Sequence, residues 1–537
     1  MKKIFRKIFS SEKKYEKYKV LILFLAVFLR IYKVSQYMPF GGDVAWDFLA
    51  ARDIALKKIF PLVGIPTSVP WLHQGTFFTY LLSIVLWLGK YNPLSGGYFV
   101  GILGVFGVLA IYFLGKKLFS EKAGLLSALF YATSPLVVIF DRYPYHQSLI
   151  SLFTIIFMFS LWKMMKNVKL VVLSFFLFGL LMQLELSNLV LLPILIIWLY
   201  QYRKQVNFKL LFFSFVAFLF TWLPKIIYDF QNGWTQTVGF IAWVIHKLPP
   251  VSILIGEKGP GISFYEKLKI IFSALTRIIF WPSVEFSIGI FVLGCFFLLK
   301  GYFREFREKK GSLKEKSISL LLLWIFIPFL GFLIHGAPSE SYVPVLFGAI
   351  ALLLGVVTES FLSWRFGKLA LLSLIILSIF NFYFLLKNNF FVLTGKDTLA
   401  SQKYNLGQSF YLNQEIAEFI AKDSGGKKFN LIPLGSFAHF SSSIMTLNYL
   451  CWYKGNEPSQ EREILQYFVY SKIAKTLSKV EEMKRCSEHA EGVHKADQNT
   501  TDVSPCVFYN KNENLKVTKA DLVKEFSNFY IARKIRQ

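Results

Sequence analysis

GTFFTYLLSIVLWLG, Gly75–Gly89, decides how this chain is threaded. Its 15 residues are almost wholly apolar, yet as a helix they reach only about 22 Å, short of the roughly 30 Å hydrocarbon core of a bilayer. If it crossed, every later connection would change sides. Read instead as a helix lying in the membrane interface, it leaves eleven apolar runs as spans, near 19–37, 97–115, 123–140, 146–163, 168–184, 186–200, 208–224, 285–300, 317–335, 342–360 and 368–387. Several are near the lower length limit for a crossing.

The basic residues support that threading. Eight Lys and Arg occur up to Lys19, and alternate connections carry Lys116, Lys117 and Lys122, then Lys163, Lys166 and Lys169, then Arg203, Lys204 and Lys209, then seven cations from Lys300 to Lys316. Positive connections mark the cytoplasmic face. The opposite connections, 38–96, DRYPYH, QLELS, 225–284 and HGAPSES, are poorer in cations for their length. The N-terminus is thus expected in the cytoplasm and, with an odd number of spans, the C-terminal tail outside. YEKLKIIFSALTRIIFW, Tyr265–Trp281, mixes Lys267, Lys269 and Arg277 with apolar residues and reads as a second interfacial helix.

Composition agrees with a multi-pass protein of the cell membrane. Of 537 residues 54% are hydrophobic and 18% aromatic, with mean hydropathy +0.47. The net charge of +27 sits in short loops and makes no aromatic-interleaved surface, which excludes nucleic acid as the partner it was built for. The basic start followed by VLILFLAVFLRIY has no small-residue cleavage site after it and reads as an uncleaved signal anchor. Four cysteines without CxxC or a His/Cys cluster at zinc spacing indicate no metal and no thiol redox centre. Cys486 and Cys506 could pair in an oxidising compartment.

From about Asn388 the chain turns polar and mixed. LNQEIAEFIAKDSGGKKFNLIPLG predicts a helix, a Gly-Gly turn and a strand. The expected fold class is therefore an all-α membrane domain over 1–390 followed by a small extracytoplasmic α/β domain over 391–537.

Ionisable groups at membrane depth are costly unless paired or lining a wet cavity, and here they gather at the outer ends of the spans: Asp43 and Asp47; His73 and Gln74; Asp141, Arg142 and His146; Gln183 and Glu185; Lys225 and Asp229; His335, Glu340 and Tyr342. Each has a plain structural reading too. GGD before a helical pattern makes Asp43 a good N-cap, Asp47 one turn on fits a solvated helix face, Asp141 and Arg142 could pair with each other, Glu185 could be a helix-packing contact, and Lys225 could snorkel. His73 and His146 lack ligand spacing.

FGGDVAWDFLAARDI…FPLVGIPTS…GTFFTYLLSIVLWLGKYNPL, GKKLFSEKAGLLSALFYATSPLVVIFDRYPYHQSL, LMQLELSNLVLLP, LPKIIYDFQNGWTQT and SESYVPVLFGAIALLLG occur in an order that resembles the GT-C glycosyltransferases, the superfamily of protein O-mannosyltransferases and lipid A aminoarabinose transferases, in their bacterial mannosyltransferase-like branch. The resemblance covers roughly 15–390, while the tail matches only in position. It implies a GT-C fold, a polyprenyl-phosphate sugar as donor, a glycan, lipid or protein hydroxyl as acceptor, membrane lipids as surroundings, and no cofactor or divalent metal. Asp43 occupies the position of the acidic residue that activates the acceptor. The chain departs from the branch at Val44, where a second acidic or amide residue is common, and at Thr76, which replaces a proline.

Such a transfer needs a base beside the nucleophile and cations beside the departing phosphate. Asp43 can be the base, Arg142 and Lys225 the cations, and Asp47, His73, Gln74, Asp141, His146, Glu185, Glu340 and Tyr342 the sugar or acceptor contacts. Two other classes compete: a transporter or flippase of lipid-linked sugars, which predicts repeat symmetry and broken helices at the midplane, and an inactive relative serving as an assembly subunit.

Overall fold

The computed structural model describes residues 15–67, 71–247, 263–335, 338–365, 367–394, 407–434, 442–471, 508–510, 515–517, 521–526 and 529–535. Cys486 and Cys506 lie outside the described residues. The helices are α1 (Glu16–Ile31), α2 (Gly42–Lys57), α3 (Phe77–Leu88), α4 (Pro93–Leu118), α5 (Glu121–Thr133), α6 (Pro135–Phe140), α7 (Ile150–Met164), α8 (Val171–Leu184) and α9 (Leu192–Gln201). They continue with α10 (Phe208–Gln231), α11 (Thr235–Lys247), α12 (Phe264–Ile279), α13 (Val284–Lys309), α14 (Leu313–Ile334), α15 (Phe347–Phe361), α16 (Gly367–Lys387), α17 (Phe410–Asp423) and α18 (Met445–Tyr453).

Every one of the eleven apolar runs is helical, several with a 3-10 turn or a break inside. Seven, Pro93–Leu118, His146–Met164, Phe208–Gln231, Val284–Lys309, Leu313–Ile334, Glu340–Phe361 and Gly367–Lys387, are long and apolar enough to cross a membrane. The others are shorter. The α3 helix has 12 residues, about 18 Å, which is too short to span. The stretch around α12 is helical as expected, with a Ser263–Glu266 capping box at its start, whereas α11 went unforeseen.

The chain forms two compact units. The first comprises 1–32, 60–78 and 98–386. Within it α8 packs along α10, α5 along α15, and α7 along α8. Small residues permit close approach of neighbouring helices: a Cβ on Gly124 of α5 would stand 2.5 Å from the Tyr112 carbonyl oxygen of α4, and one on Gly355 of α15 would stand 2.6 Å from the Ser127 nitrogen of α5. Close backbone contact replaces the hydrophobic effect as the force between helices in lipid. Of the most apolar stretch of α10 only 17% is buried in protein, against 72% for 146–164, so α10 presents Phe212, Phe220 and Leu223 outward, as a lipid-facing helix does.

The second unit comprises 33–59, 79–97 and 387–537, so the tail does not stand alone. Its sheet has the order β1 (Phe429–Leu434), β2 (Leu465–Ser471), β6 (Phe529–Ile535), β5 (Leu522–Glu525), with β1 and β2 parallel and the other pairs antiparallel. A two-stranded ribbon pairs β3 (Phe508–Asn510) with β4 (Leu515–Val517). The helix, turn and strand read from 412–435 are present: α17, then Gly425 and Gly426 at φ 56° and 78°, then β1. Phe40 sits at the centre, edge-on to Phe48, Phe410 and Tyr449 at 5.1, 5.9 and 6.2 Å, and its carbonyl accepts from Asn413 Nδ2 at 3.0 Å. Each such ring pair adds roughly 0.5–1.5 kcal/mol to its burial.

Candidate active site

In the second unit Asp43 is exposed in the first turn of α2. The N-cap is Gly41, with no side-chain cap bond. The expected capping role of Asp43 is thus corrected: the helix starts two residues earlier than the motif suggests, and the carboxylate only complements the helix dipole. A Cβ on Gly42 would stand 2.0 Å from the Ser442 carbonyl oxygen, so the glycine is needed for that approach. Asp47 is corrected as well. It is 2% exposed, and its Oδ1 accepts from Thr79 Oγ1 at 3.0 Å, an internal contact in place of a solvated face.

The first unit brings most of the other residues together. Gly64–Thr67 and Leu72–Gly75 form a tight hairpin: Gly64 N donates to Gln74 O at 2.9 Å, Gln74 N to Ile65 O at 2.9 Å, and Thr67 N to Leu72 O at 2.8 Å. Gln183 clasps its end. Gly75 N donates to the Gln183 carbonyl and Thr76 N to Gln183 Oε1, each at 3.0 Å. A Cβ on Gly75 would fall 1.9 Å from Gln183 Oε1 and 2.6 Å from its carbonyl oxygen, so only glycine fits.

Glu185 stands where α8 ends. Its backbone is extended (φ −160°, ψ 126°), and the Leu181 carbonyl at the helix end accepts from both Glu185 N at 3.1 Å and Asn188 Nδ2 at 2.8 Å. The break turns the buried carboxylate toward Gln74 Nε2 at 3.1 Å, Gln147 Nε2 at 3.4 Å and His146 Nε2 at 3.5 Å. Lys225 follows Pro224, which lacks the N–H of the helix ladder. The lysine is buried, and its Nζ donates to the His73 carbonyl at 2.6 Å. One turn on, Asp229 accepts from the backbone N–H groups of Gln236 and Thr237 at 2.8 and 2.7 Å, holding the start of α11, and Gln236 Oε1 accepts from His73 N at 3.0 Å. The Oε1 of Gln74 and the Nε2 of Gln236 are buried without a hydrogen-bond partner among the described residues; such polar atoms are available to a ligand.

Glu185 also lines an apolar cavity of about 450 Å³ with Ser187, Trp243, His335 and Tyr342. The rings form one wall: Trp243 to His335 at 6.0 Å and His335 to Tyr342 at 5.3 Å. Glu340 is turned to an ion pair with Arg277. Among the described residues no group of three His, Cys, Asp or Glu could hold a metal ion.

Asp141 and Arg142 do not pair with each other. Arg30, wholly buried, puts Nε 2.8 Å and Nη2 2.7 Å from Asp141 Oδ2. Arg142 donates to the carbonyls of Leu29 and Tyr32 at 2.9 and 3.0 Å. It satisfies acceptors at the end of α1. Gln147, Gln236, Trp243 and Arg30 were not singled out in the sequence. Of these only Arg30, a cation inside the first apolar run, carried a signal: a charge at that depth demands a partner.

Burial holds the His73 imidazole below its ordinary pKa of 6.5, and the charge of Lys225 adds to this. The unfolded chain therefore takes up a proton first as pH falls, so the His73 contribution to stability is present above pH 6.5 and is lost toward the lower folded value. Melting midpoints at pH 7.5 and 5.5 should differ more for the wild type than for His73→Asn; an equal loss in both would remove His73 from the pH response.

This order of helices, with a short apolar helix in the first long connection and a small α/β tail, is the GT-C fold. Solved structures show it at full length. ArnT from Cupriavidus metallidurans bound to undecaprenyl phosphate aligns over 96% of this chain and 98% of its own, with a TM-score of 0.57 at 10% identity. Its apo state aligns over 97% and 98%, at 0.55 and 9%. The archaeal oligosaccharyltransferase AglB from Archaeoglobus fulgidus, in complex with an inhibitory peptide and a dolichol-phosphate, aligns over 82% of this chain at 0.50 and 13%. The chain spans about 64% of the length of that protein. No protein-family profile and no curated protein sequence matches the chain.

Proposed function

We propose that the chain is a membrane glycosyltransferase that moves a sugar from a polyprenyl-phosphate donor to an acceptor hydroxyl on the extracytoplasmic face. The acceptor oxygen bonds to the anomeric carbon, the bond from that carbon to the phosphate oxygen breaks, polyprenyl phosphate leaves, and the acceptor proton passes to Asp43. A single displacement of this kind inverts the anomeric centre. Lys225 counters charge on the leaving phosphate, while His73, Gln74, His146, Glu185 and Tyr342 contact the sugar or acceptor. The observation that carries this reading is a buried lysine in a polar cluster whose Glu185 lines an apolar cavity of about 450 Å³, within a GT-C fold. A lipid chain suits the cavity, and a phosphate suits the lysine.

Replacing Lys225 tests it. A hydrogen bond to a charged group contributes about 1.5–3 kcal/mol, so Lys225→Ala should raise the donor KM by roughly 10- to 100-fold and the acceptor KM much less, with Lys225→Arg recovering part of the loss. An alanine variant that is folded and has an unchanged donor KM contradicts the assignment.

A further inference from the structure

A second cavity, of about 670 Å³, lies between α1, α5 and α16, away from Lys225 and Glu185. Leu25, Leu129 and Ile379 line its three sides. The polar side chains toward its far end contribute little, since Thr133 Oγ1 donates to the Leu129 carbonyl at 3.0 Å and Ser378 Oγ to the Leu374 carbonyl at 2.9 Å. Hydroxyls bonded back onto their own helix leave an apolar channel. Its occupant must be apolar there.

The other end differs. Tyr15, Tyr18 and Lys122 line it, at the starts of α1 and α5. Lys122 is exposed and has no ion pair among the described residues. The nearby acids are engaged: Glu121 lies 3.0 Å from Lys19 and 2.8 Å from Lys116, and Glu359 accepts from Ser120. Two cations share one carboxylate, and Lys17 lies 5.0 Å above the Tyr18 ring. The mouth is therefore positive while the channel is apolar. It also belongs to the cation-rich side of the chain, the side that faces anionic lipid in a cytoplasmic leaflet.

We infer that this cavity is a binding site for an anionic phospholipid, with an acyl chain between α1, α5 and α16 and the phosphate at Lys122. The juxtaposition of an apolar channel and, at its mouth, a lysine without an ion pair among the described residues carries the assignment. One basic contact near a membrane surface supplies about fivefold selectivity.

The full chain, delipidated in a neutral detergent, would be titrated with phosphatidylglycerol, with phosphatidylcholine and with inorganic phosphate, following bound lipid by native mass spectrometry and the melting midpoint. The wild type should bind phosphatidylglycerol about fivefold more tightly than phosphatidylcholine, and inorganic phosphate should leave the midpoint unchanged. Lys122→Glu should abolish the preference while retaining phosphatidylcholine. Ile375→Trp, which fills the channel, should lower the binding of both lipids. Equal affinity for the two lipids in the wild type, an undiminished preference in Lys122→Glu, a response to phosphate alone, or wild-type lipid binding by folded Ile375→Trp would each overturn the assignment. Lys122 touches nothing in the proposed active site, so this outcome is independent of sugar transfer.

Discussion

Asp43→Asn should lower sugar transfer by about 10²–10⁴, the range of a positioned general base, while expression, membrane insertion and donor binding persist. The structure makes this a clean substitution. Asp43 makes no cap bond and is exposed, so asparagine removes the proton acceptor and gives up only the interaction with the helix dipole, about 0.3–1 kcal/mol. Asp47 is a poor substitute for the role, because its carboxylate is buried and already accepts from Thr79. Turnover measured with saturating donor would separate the cases: a fall in kcat at unchanged donor affinity fits a base, and a variant as fast as the wild type leaves Asp43 as a surface charge on α2.

The largest expected change in stability comes from Arg30. Its guanidinium is wholly buried, bound to Asp141 and to the Ala132 carbonyl at 3.1 Å. Removing one partner of a buried pair leaves a charge without compensation and typically costs about 3–5 kcal/mol. Arg30→Met should therefore melt well below the wild type in detergent, or fail to accumulate. The double variant Arg30→Met/Asp141→Leu should recover much of the loss, since a buried pair exchanged for apolar groups is often neutral. Equal midpoints for the wild type and Arg30→Met would show that the pair contributes no stability.

The helices were legible in the sequence because lipid imposes a simple rule, a long apolar run with charges at its ends. The run 97–115 became Pro93–Leu118 and the run 208–224 became Phe208–Gln231. What lipid cannot dictate is pairing across the chain. Arg30 and Asp141 are 111 residues apart, and the adjacency of Asp141 and Arg142 pointed to a pair that the helix ends pull apart. The GGD motif placed the cap at the aspartate because it is the better capping residue; the approach of Ser442 to Gly42 fits a helix begun at glycine. His73, Gln74, Glu185 and Lys225 could be gathered from their depth alone, whereas Gln147 and Gln236 are ordinary polar residues until the hairpin and the break after α8 bring them together.

The central claim is transfer from a lipid-phosphate donor. Purified protein in lipid nanodiscs, incubated with a panel of synthetic polyprenyl-phosphate sugars, should release free polyprenyl phosphate from at least one of them, faster with an acceptor extract present, and Asp43→Asn should release it far more slowly. No release from any donor by folded wild-type protein, or release that Asp43→Asn and Lys225→Ala leave unchanged, would contradict the account.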